Sequence, residues 1–111
     1  MYNLVYLIGR LVSDPELKKS ENNKEHVFVT IAVQRSFKNP DGIYDTDFIR
    51  CSLWNGIAKN VSEYCKKGDL IGIRGRLQVR NYEEDGEVKY ITEVIAEKIS
   101  FLTSKKQENE Q

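Results

Sequence analysis

The arrangement of short apolar runs is the feature of this chain that most restricts its fold. Five runs rich in β-branched and aromatic residues have the length and composition typical of β-strands. They cover residues 4–11, 27–34, 48–54, 70–82 and 88–96, and the last continues loosely to residue 102. Between the third and fourth runs, residues 58–67 change to a helical period, because Ile57, Val61 and Tyr64 or Cys65 recur at helical spacing. We therefore expect five strands and one short helix.

The turns and the order of these elements predict the fold. Lys66 and Lys67 followed by Gly68 suit the end of the helix. Residues 40–42 (Pro-Asp-Gly) and the acidic residues 83–87 predict turns between strands. Three strands, a short helix and two more strands is the order of an all-β, five-stranded Greek-key barrel, the OB fold. With 111 residues, we expect one domain over residues 1–102 and a short disordered polar tail over residues 103–111.

Alternation of side chains along a strand assigns a direction to each residue of the third and fourth strands. On the third strand, the residues expected to face the core are Ile49, Cys51 and Leu53, and those expected to face outward are Phe48, Arg50, Ser52 and Trp54. On the fourth, the residues expected inward are Ile71, Ile73, Gly75, Leu77 and Val79. Those expected outward are Gly72, Arg74, Arg76, Gln78, Arg80 and Tyr82. The pattern predicts a solvent-facing surface of rings and guanidinium groups.

Such a surface is typical of a groove for unpaired nucleic acid, because bases stack on rings and phosphates bind arginine. A duplex hides its base faces, so stacking rings select single strands. The predicted stacking residues are Phe37, on a hairpin that extends beyond the barrel, and Phe48, Trp54 and Tyr82. The predicted phosphate contacts are Arg10, Arg35, Lys38, Arg50, Arg74, Arg76 and Arg80.

Several of these side chains also have a simpler explanation. Trp54 alternatively closes the barrel end as a core residue, and Phe48 alternatively packs under the helix or against a neighbouring subunit. Tyr82 alternatively forms an ordinary cross-strand pair. The outward arginines of the fourth strand alternatively pair with acids in loops, and Arg10 alone is a weak indication. A wrong register in a strand would reverse all its side chains at once.

Composition limits the remaining classes of function. Seventeen basic residues balance seventeen acidic ones, so binding to nucleic acid requires charges that are segregated in space. Two cysteines and one histidine are too few for a structural zinc site. We expect Cys51 and Cys65 to be reduced and buried, with a disulfide as the minor alternative. No segment has the pattern of a signal peptide or a membrane span. We therefore expect a cytoplasmic, nucleoid-associated protein with no cofactor, metal, membrane partner or small-molecule substrate.

Five segments resemble, in order and spacing, the bacterial single-stranded DNA-binding protein family. They are NLVYLIGRLVSDP at residues 3–15, TDFIRCSLW at 46–54, AKNVSEYCKKG at 58–68, GIRGRLQVRNY at 72–82 and YITEV at 90–94. The resemblance implies an OB fold, sequence-independent binding of single-stranded DNA, and a role in replication, recombination or repair. By motif, the family's base-stacking positions match Phe37, Phe48, Trp54 and Tyr82, with Phe or Tyr in place of Trp at three of them.

The same resemblance implies a homotetramer. Residues 4–8 are apolar on both faces of the first strand, which independently indicates a partner subunit along that strand. Packing within the monomer is the alternative. Many family members end in a long tail with an acidic, hydrophobic tip that recruits other proteins, whereas residues 103–111 are short and of mixed charge. This suits a shortened paralogue, used in DNA uptake or carried by a phage or mobile element, or a truncated chain.

Two other classes of function are weighed against this one. An enzyme is disfavoured, because the acidic residues lie mostly in turns and are not grouped for metal or acid–base chemistry. The alternative function is an OB-fold protein-interaction subunit of a replication or primosome assembly, in which Phe48 and Trp54 form an apolar contact. Binding to RNA is not distinguished from binding to DNA, since stacking and phosphate contacts do not read the 2′-hydroxyl.

Overall fold

The computed structural model describes residues 1–103. Its elements are β1 Val5–Leu11, β2 Lys18–Lys19, β3 Glu25–Lys38, β4 Tyr44–Trp54, α1 Asn55–Tyr64, β5 Leu70–Glu84 and β6 Glu87–Phe101. All five predicted strands are present, and β2 is a two-residue addition that the sequence did not indicate. The tail predicted over residues 103–111 lies, apart from Thr103, outside the described residues.

The five long strands close into a barrel through β1. The sheet order is β1-β5-β6-β4-β3, and β1 also pairs with β3 at Arg10 and Ala32. Neighbouring strands are antiparallel, except that β4 and β6 run parallel at Cys51 and Val94. The predicted OB fold is therefore confirmed. Glycine is required at position 9, because a β-carbon there would lie 2.6 Å from the carbonyl oxygen of Ala32.

Alternate side chains of the strands fill the barrel. The fully buried positions include Val27 and Ile31 of β3, Cys51 and Leu53 of β4, Ile71 and Ile73 of β5, and Val94 of β6. Ala58 and Val61 of α1 belong to the same core. Burial of each large aliphatic side chain contributes about 1.5–3 kcal/mol, which fixes the register of the strands. The core positions predicted on β4 are thus confirmed, with Ile49 half-buried against the others.

The predicted boundaries of the helix are wrong by three residues. The helix spans Asn55–Tyr64, and Cys65 has returned to an extended backbone at φ −119°. Lys66 and Lys67 therefore follow the helix and do not lie in its last turn. Asn55 has a left-handed φ of 55°, so the chain changes direction directly after Trp54. With ten residues, the helix of the described segment is neither long nor apolar enough to cross a membrane.

Four predicted environments are also wrong. Gly72 is expected on the exposed face of β5 but is buried, because Tyr6 and Leu102 lie over it. Leu77 and Val79 lie on the expected face of β5 but are exposed, because β5 and β6 continue past the barrel as a two-stranded ribbon that ends at Glu84 and Glu87. Ser52 lies on the outward face of β4 but is buried, since the indole of Trp54 is hydrogen-bonded to its hydroxyl. Alternation thus predicted the face correctly, but not whether another group covers that face.

Candidate nucleic-acid interface

Outward side chains of four neighbouring strands form one surface, which we call the aromatic–basic track. It comprises His26 and Phe28 of β3, Phe48, Arg50 and Trp54 of β4, Glu93 of β6, and Arg76, Arg80 and Tyr82 of β5. The strand registers bring them together: Trp54 is opposite His26, and Gln78, between Arg76 and Arg80, is opposite Glu93. Rings and guanidinium groups from distant parts of the sequence therefore share one face.

A series of direct contacts runs along this track. The ring centroids of Trp54 and His26 are 5.0 Å apart, and those of His26 and Phe28 are 5.3 Å apart. The guanidinium of Arg50 lies over the Phe28 ring at 4.5 Å. Glu93 then joins the arginines, with Oε2 lying 3.9 Å from Arg50 Nε and Oε1 3.1 Å from Arg80 Nε. The track is thus continuous from Trp54 to Arg80.

The four predicted stacking residues are all exposed. Phe48 is 68% exposed and Phe37 65%, while Tyr82 and Trp54 are 40% and 37% exposed. Phe48 does not pack under the helix, and Trp54 does not close the barrel as a core residue. Phe37 lies on the β3–β4 hairpin and Tyr82 on the β5–β6 ribbon, beyond the barrel itself. The geometry is that of a stacking surface; base binding by these residues stays a prediction.

Two neighbours fix the orientation of Trp54. Its indole Nε1–H donates a hydrogen bond of 2.8 Å to the Ser52 hydroxyl. The His26 ring lies against the indole with an angle of 35° between the two planes. The ring is therefore held in one orientation on the outer face of the barrel, with part of its surface open to solvent.

The predicted phosphate-binding side chains differ in how fully they are already occupied. Arg35 forms a two-point pair with Asp47, in which Nε and Nη2 donate at 3.1 and 2.9 Å. Hydrogen bonding to Arg35 lowers the pKa of Asp47 below its ordinary value. Asp47 is on the opposite face of β4 from Phe48, because the two are adjacent in the strand. Arg35 is thus directed away from the track.

The other basic residues keep donors available. Arg76 donates to Gln78 at 2.8 Å and lies 3.7 Å from Glu97, and Arg10 donates to the Gly68 carbonyl at 3.1 Å. Lys38 lies over the ring of Tyr44. Arg74 is exposed and forms no ion pair with any residue in the range 1–103. The alternative that acids pair with the arginines of β5 is right for Arg76 and Arg80, although those acids belong to β6 and not to loops.

Sequence reasoning missed three members of the track, which are His26, Phe28 and Glu93. Phe28 is 43% exposed and supports Arg50. The signal was present, because Val27 and Val29 are buried on either side of Phe28 and alternation directs Phe28 outward. The position of His26 follows by the same rule.

Comparison with known proteins identifies the family. The family model of the single-strand binding proteins matches residues 2–102. The chain belongs to this family. It is 44% identical over 109 residues to the single-stranded DNA-binding protein B of Bacillus subtilis, covering 97% of this chain and 96% of that protein. It is 48% identical over 103 residues to the single-stranded DNA-binding protein of Bacillus cereus, of which it spans only 61%. It is 45% identical over 112 residues to the single-stranded DNA-binding protein 1 of Lactococcus lactis, covering 100% of this chain and 75% of that protein.

Proposed function

We propose that this protein binds single-stranded DNA without regard to sequence and acts in DNA replication, recombination or repair. The observation that carries the proposal is the unbroken set of contacts from Trp54 through Phe28 and Arg50 to Arg80 on one outer face. Family membership and the names of the relatives support the same ligand. Neither the fold nor the charge balance alone would carry it.

The exposed rings supply the affinity for bases. Each base stacked on an aromatic side chain contributes about 1–3 kcal/mol. We assign stacking to Phe37, Phe48, Trp54 and Tyr82. Stacking uses the flat face that every base possesses, so it requires no particular sequence. Paired bases in a duplex already stack on one another, so the same rings discriminate against double-stranded DNA.

The basic side chains supply the contact with the phosphate chain. Arg50 and Arg80 lie beside the rings and keep Nη donors free of described partners, so we assign them the central phosphate contacts. We assign further phosphate contacts to Arg10, Lys38, Arg74 and Arg76. Arg35 has the weakest claim, because Asp47 occupies two of its donors. We therefore expect the salt dependence of DNA binding to come from the other predicted basic residues and not from Arg35.

We also propose that the protein is a homo-oligomer, a tetramer by its resemblance to the family. Leu4, Tyr6 and Ile8 remain exposed on the outer face of the first strand, so packing within the chain leaves this apolar face uncovered. A second subunit along residues 4–8 would cover it. A non-catalytic role in the cytoplasm, associated with the nucleoid, fits a DNA-binding protein of this family.

A salt titration tests the proposed function. Fluorescence anisotropy of labelled oligo-dT is measured from low to high KCl. Binding through phosphates predicts that the logarithm of the affinity falls linearly with the logarithm of the salt concentration, with a slope of about −0.7 per phosphate contacted. Affinity that does not change with salt, or absence of binding, would refute the proposal. In that case the protein-interaction alternative, in which Phe48 and Trp54 form an apolar contact, becomes the better one.

A further inference from the structure

Glu93 is a buried carboxylate in the middle of the aromatic–basic track. Its side chain is only 4% exposed, although strand alternation places it on the outer face of β6, opposite Gln78. Oε1 accepts a hydrogen bond from Arg80, and Oε2 accepts none from any residue that the structure describes. A negative charge thus lies beneath the surface that we assign to phosphate binding.

The fold alone gains little from such a group. A buried charge loses its hydration, and an oxygen without a hydrogen bond is not compensated. Apolar residues of similar volume often replace a buried ion pair with no loss of stability. The two neighbours of Glu93 that lie on the same face, Ile91 and Ile95, show that this face of the strand accepts aliphatic side chains. The carboxylate therefore calls for an explanation other than packing.

The geometry of its two ion pairs provides one. Both Arg50 and Arg80 approach Glu93 with Nε. Neither arginine uses an Nη atom in a hydrogen bond to a residue of the described chain. Arg35 behaves differently, since it commits both Nε and Nη2 to Asp47. The Phe28 ring supports Arg50 from another side at 4.5 Å. Glu93 thus contacts the Nε edge of both guanidinium groups, by a hydrogen bond from Arg80 and by an ion pair of 3.9 Å with Arg50, and leaves their outer edges available.

We propose that Glu93 is a positioning residue that fixes Arg50 and Arg80 so that their Nη groups bind phosphates of the same DNA strand. One negative charge against two positive charges leaves the cluster cationic. Ordering the two long side chains before DNA arrives removes part of the entropy cost of binding them to phosphate. The inference rests on the proposed function, because it concerns the same strand of DNA.

The opposing view is that Glu93 is only a negative charge that repels DNA. The two views predict opposite signs for Glu93→Gln. Glutamine keeps the shape and the acceptor for Arg80, but it cannot hold two guanidinium groups with one oxygen. Positioning predicts weaker binding, by about 3- to 10-fold, the equivalent of one ordinary hydrogen bond. Repulsion predicts tighter binding.

Anisotropy titration of oligo-dT across KCl concentrations separates these views. For Glu93→Gln we expect the loss of affinity together with a salt slope that is shallower by about 0.7, the value of one lost phosphate contact. The matched control is Glu97→Gln, which removes the same charge from an exposed partner of Arg76 at 3.7 Å. We expect that control to bind as tightly as the wild type, or slightly more tightly.

Two further variants keep the test valid if Glu93→Gln is unstable. Glu93→Asp retains the charge but is too short to reach both arginines, so positioning predicts about 3-fold weaker binding, whereas a simple charge effect predicts none. In an Arg50→Ala/Arg80→Ala background, Glu93→Gln should have no further effect on DNA. The inference would be overturned if Glu93→Gln and Glu93→Asp both bound DNA with the affinity and salt slope of the wild type. It would also be overturned if Glu93→Gln had the same effect in the Arg50→Ala/Arg80→Ala background as in the wild type. Absence of binding by the wild-type protein would instead refute the proposed function.

Discussion

Replacing Phe48 by alanine separates DNA binding from folding stability. The ring is 68% exposed, so the fold buries about a third of it. Full burial of a phenylalanine contributes about 1.5–3 kcal/mol, and the truncation should therefore lower the free energy of unfolding by about 0.5–1 kcal/mol. Loss of one stacked base costs about 1–3 kcal/mol of binding free energy, which corresponds to a dissociation constant about 5- to 150-fold higher.

Anisotropy of labelled oligo-dT measures the binding change, and denaturant unfolding measures the stability change. Tyr64→Ala is the matched control, because Tyr64 is an aromatic residue that is 61% exposed at the end of α1, outside the track. We expect it to leave the affinity unchanged. The reasoning is refuted if Phe48→Ala binds within twofold of the wild type, or if Tyr64→Ala weakens binding by the same factor.

Three further variants and one chemical reaction test separate parts of the structure. Arg35→Ala should change the affinity for oligo-dT less than twofold, because Asp47 already holds that side chain. Arg80→Ala should weaken the affinity about 5- to 20-fold. Equal losses in the two variants would contradict the assignment of the central phosphate contact to Arg80. Cys51 is fully buried, and burial raises the pKa of its thiol from 9.0 to about 12. Alkylation of Cys51 by iodoacetamide at pH 8 should therefore be slower in the folded protein than in the unfolded one by about two orders of magnitude or more. Similar rates would contradict this. The stability from the neutral thiol is complete below about pH 9 and is lost as the pH rises toward about 12. Gly9→Ala should lower the free energy of unfolding by about 1–3 kcal/mol, because the β-carbon would meet the Ala32 carbonyl; unchanged denaturant unfolding would contradict the tight closure.

Strand alternation predicted the direction of the central side chains. Burial of Cys51 and Leu53 requires that Phe48, Arg50 and Trp54 face outward, and they do. The order of strands and helix likewise predicted the OB fold. These features are local, since they depend only on the period of side chains along one strand and on the sequence of elements.

Features that depend on how far the barrel reaches were not predictable in the same way. Leu77 and Val79 have the pattern of core residues, yet they are exposed because the β5–β6 ribbon extends beyond the barrel. The pairing of Glu93 with Arg50 and Arg80 joins three separate strands. Such contacts depend on the register between strands, which the alternation within one strand does not reveal.

In the proposed function, rings and guanidinium groups on one outer face hold the bases and phosphates of an unpaired strand. Trp54 is the only tryptophan in the chain, so tryptophan fluorescence, excited at a wavelength that tyrosine does not absorb, reports on this face alone. Titration with poly-dT should quench it strongly and to saturation, whereas duplex DNA at the same phosphate concentration should cause little change. Equal quenching by duplex DNA, or unchanged fluorescence with poly-dT, would contradict the account.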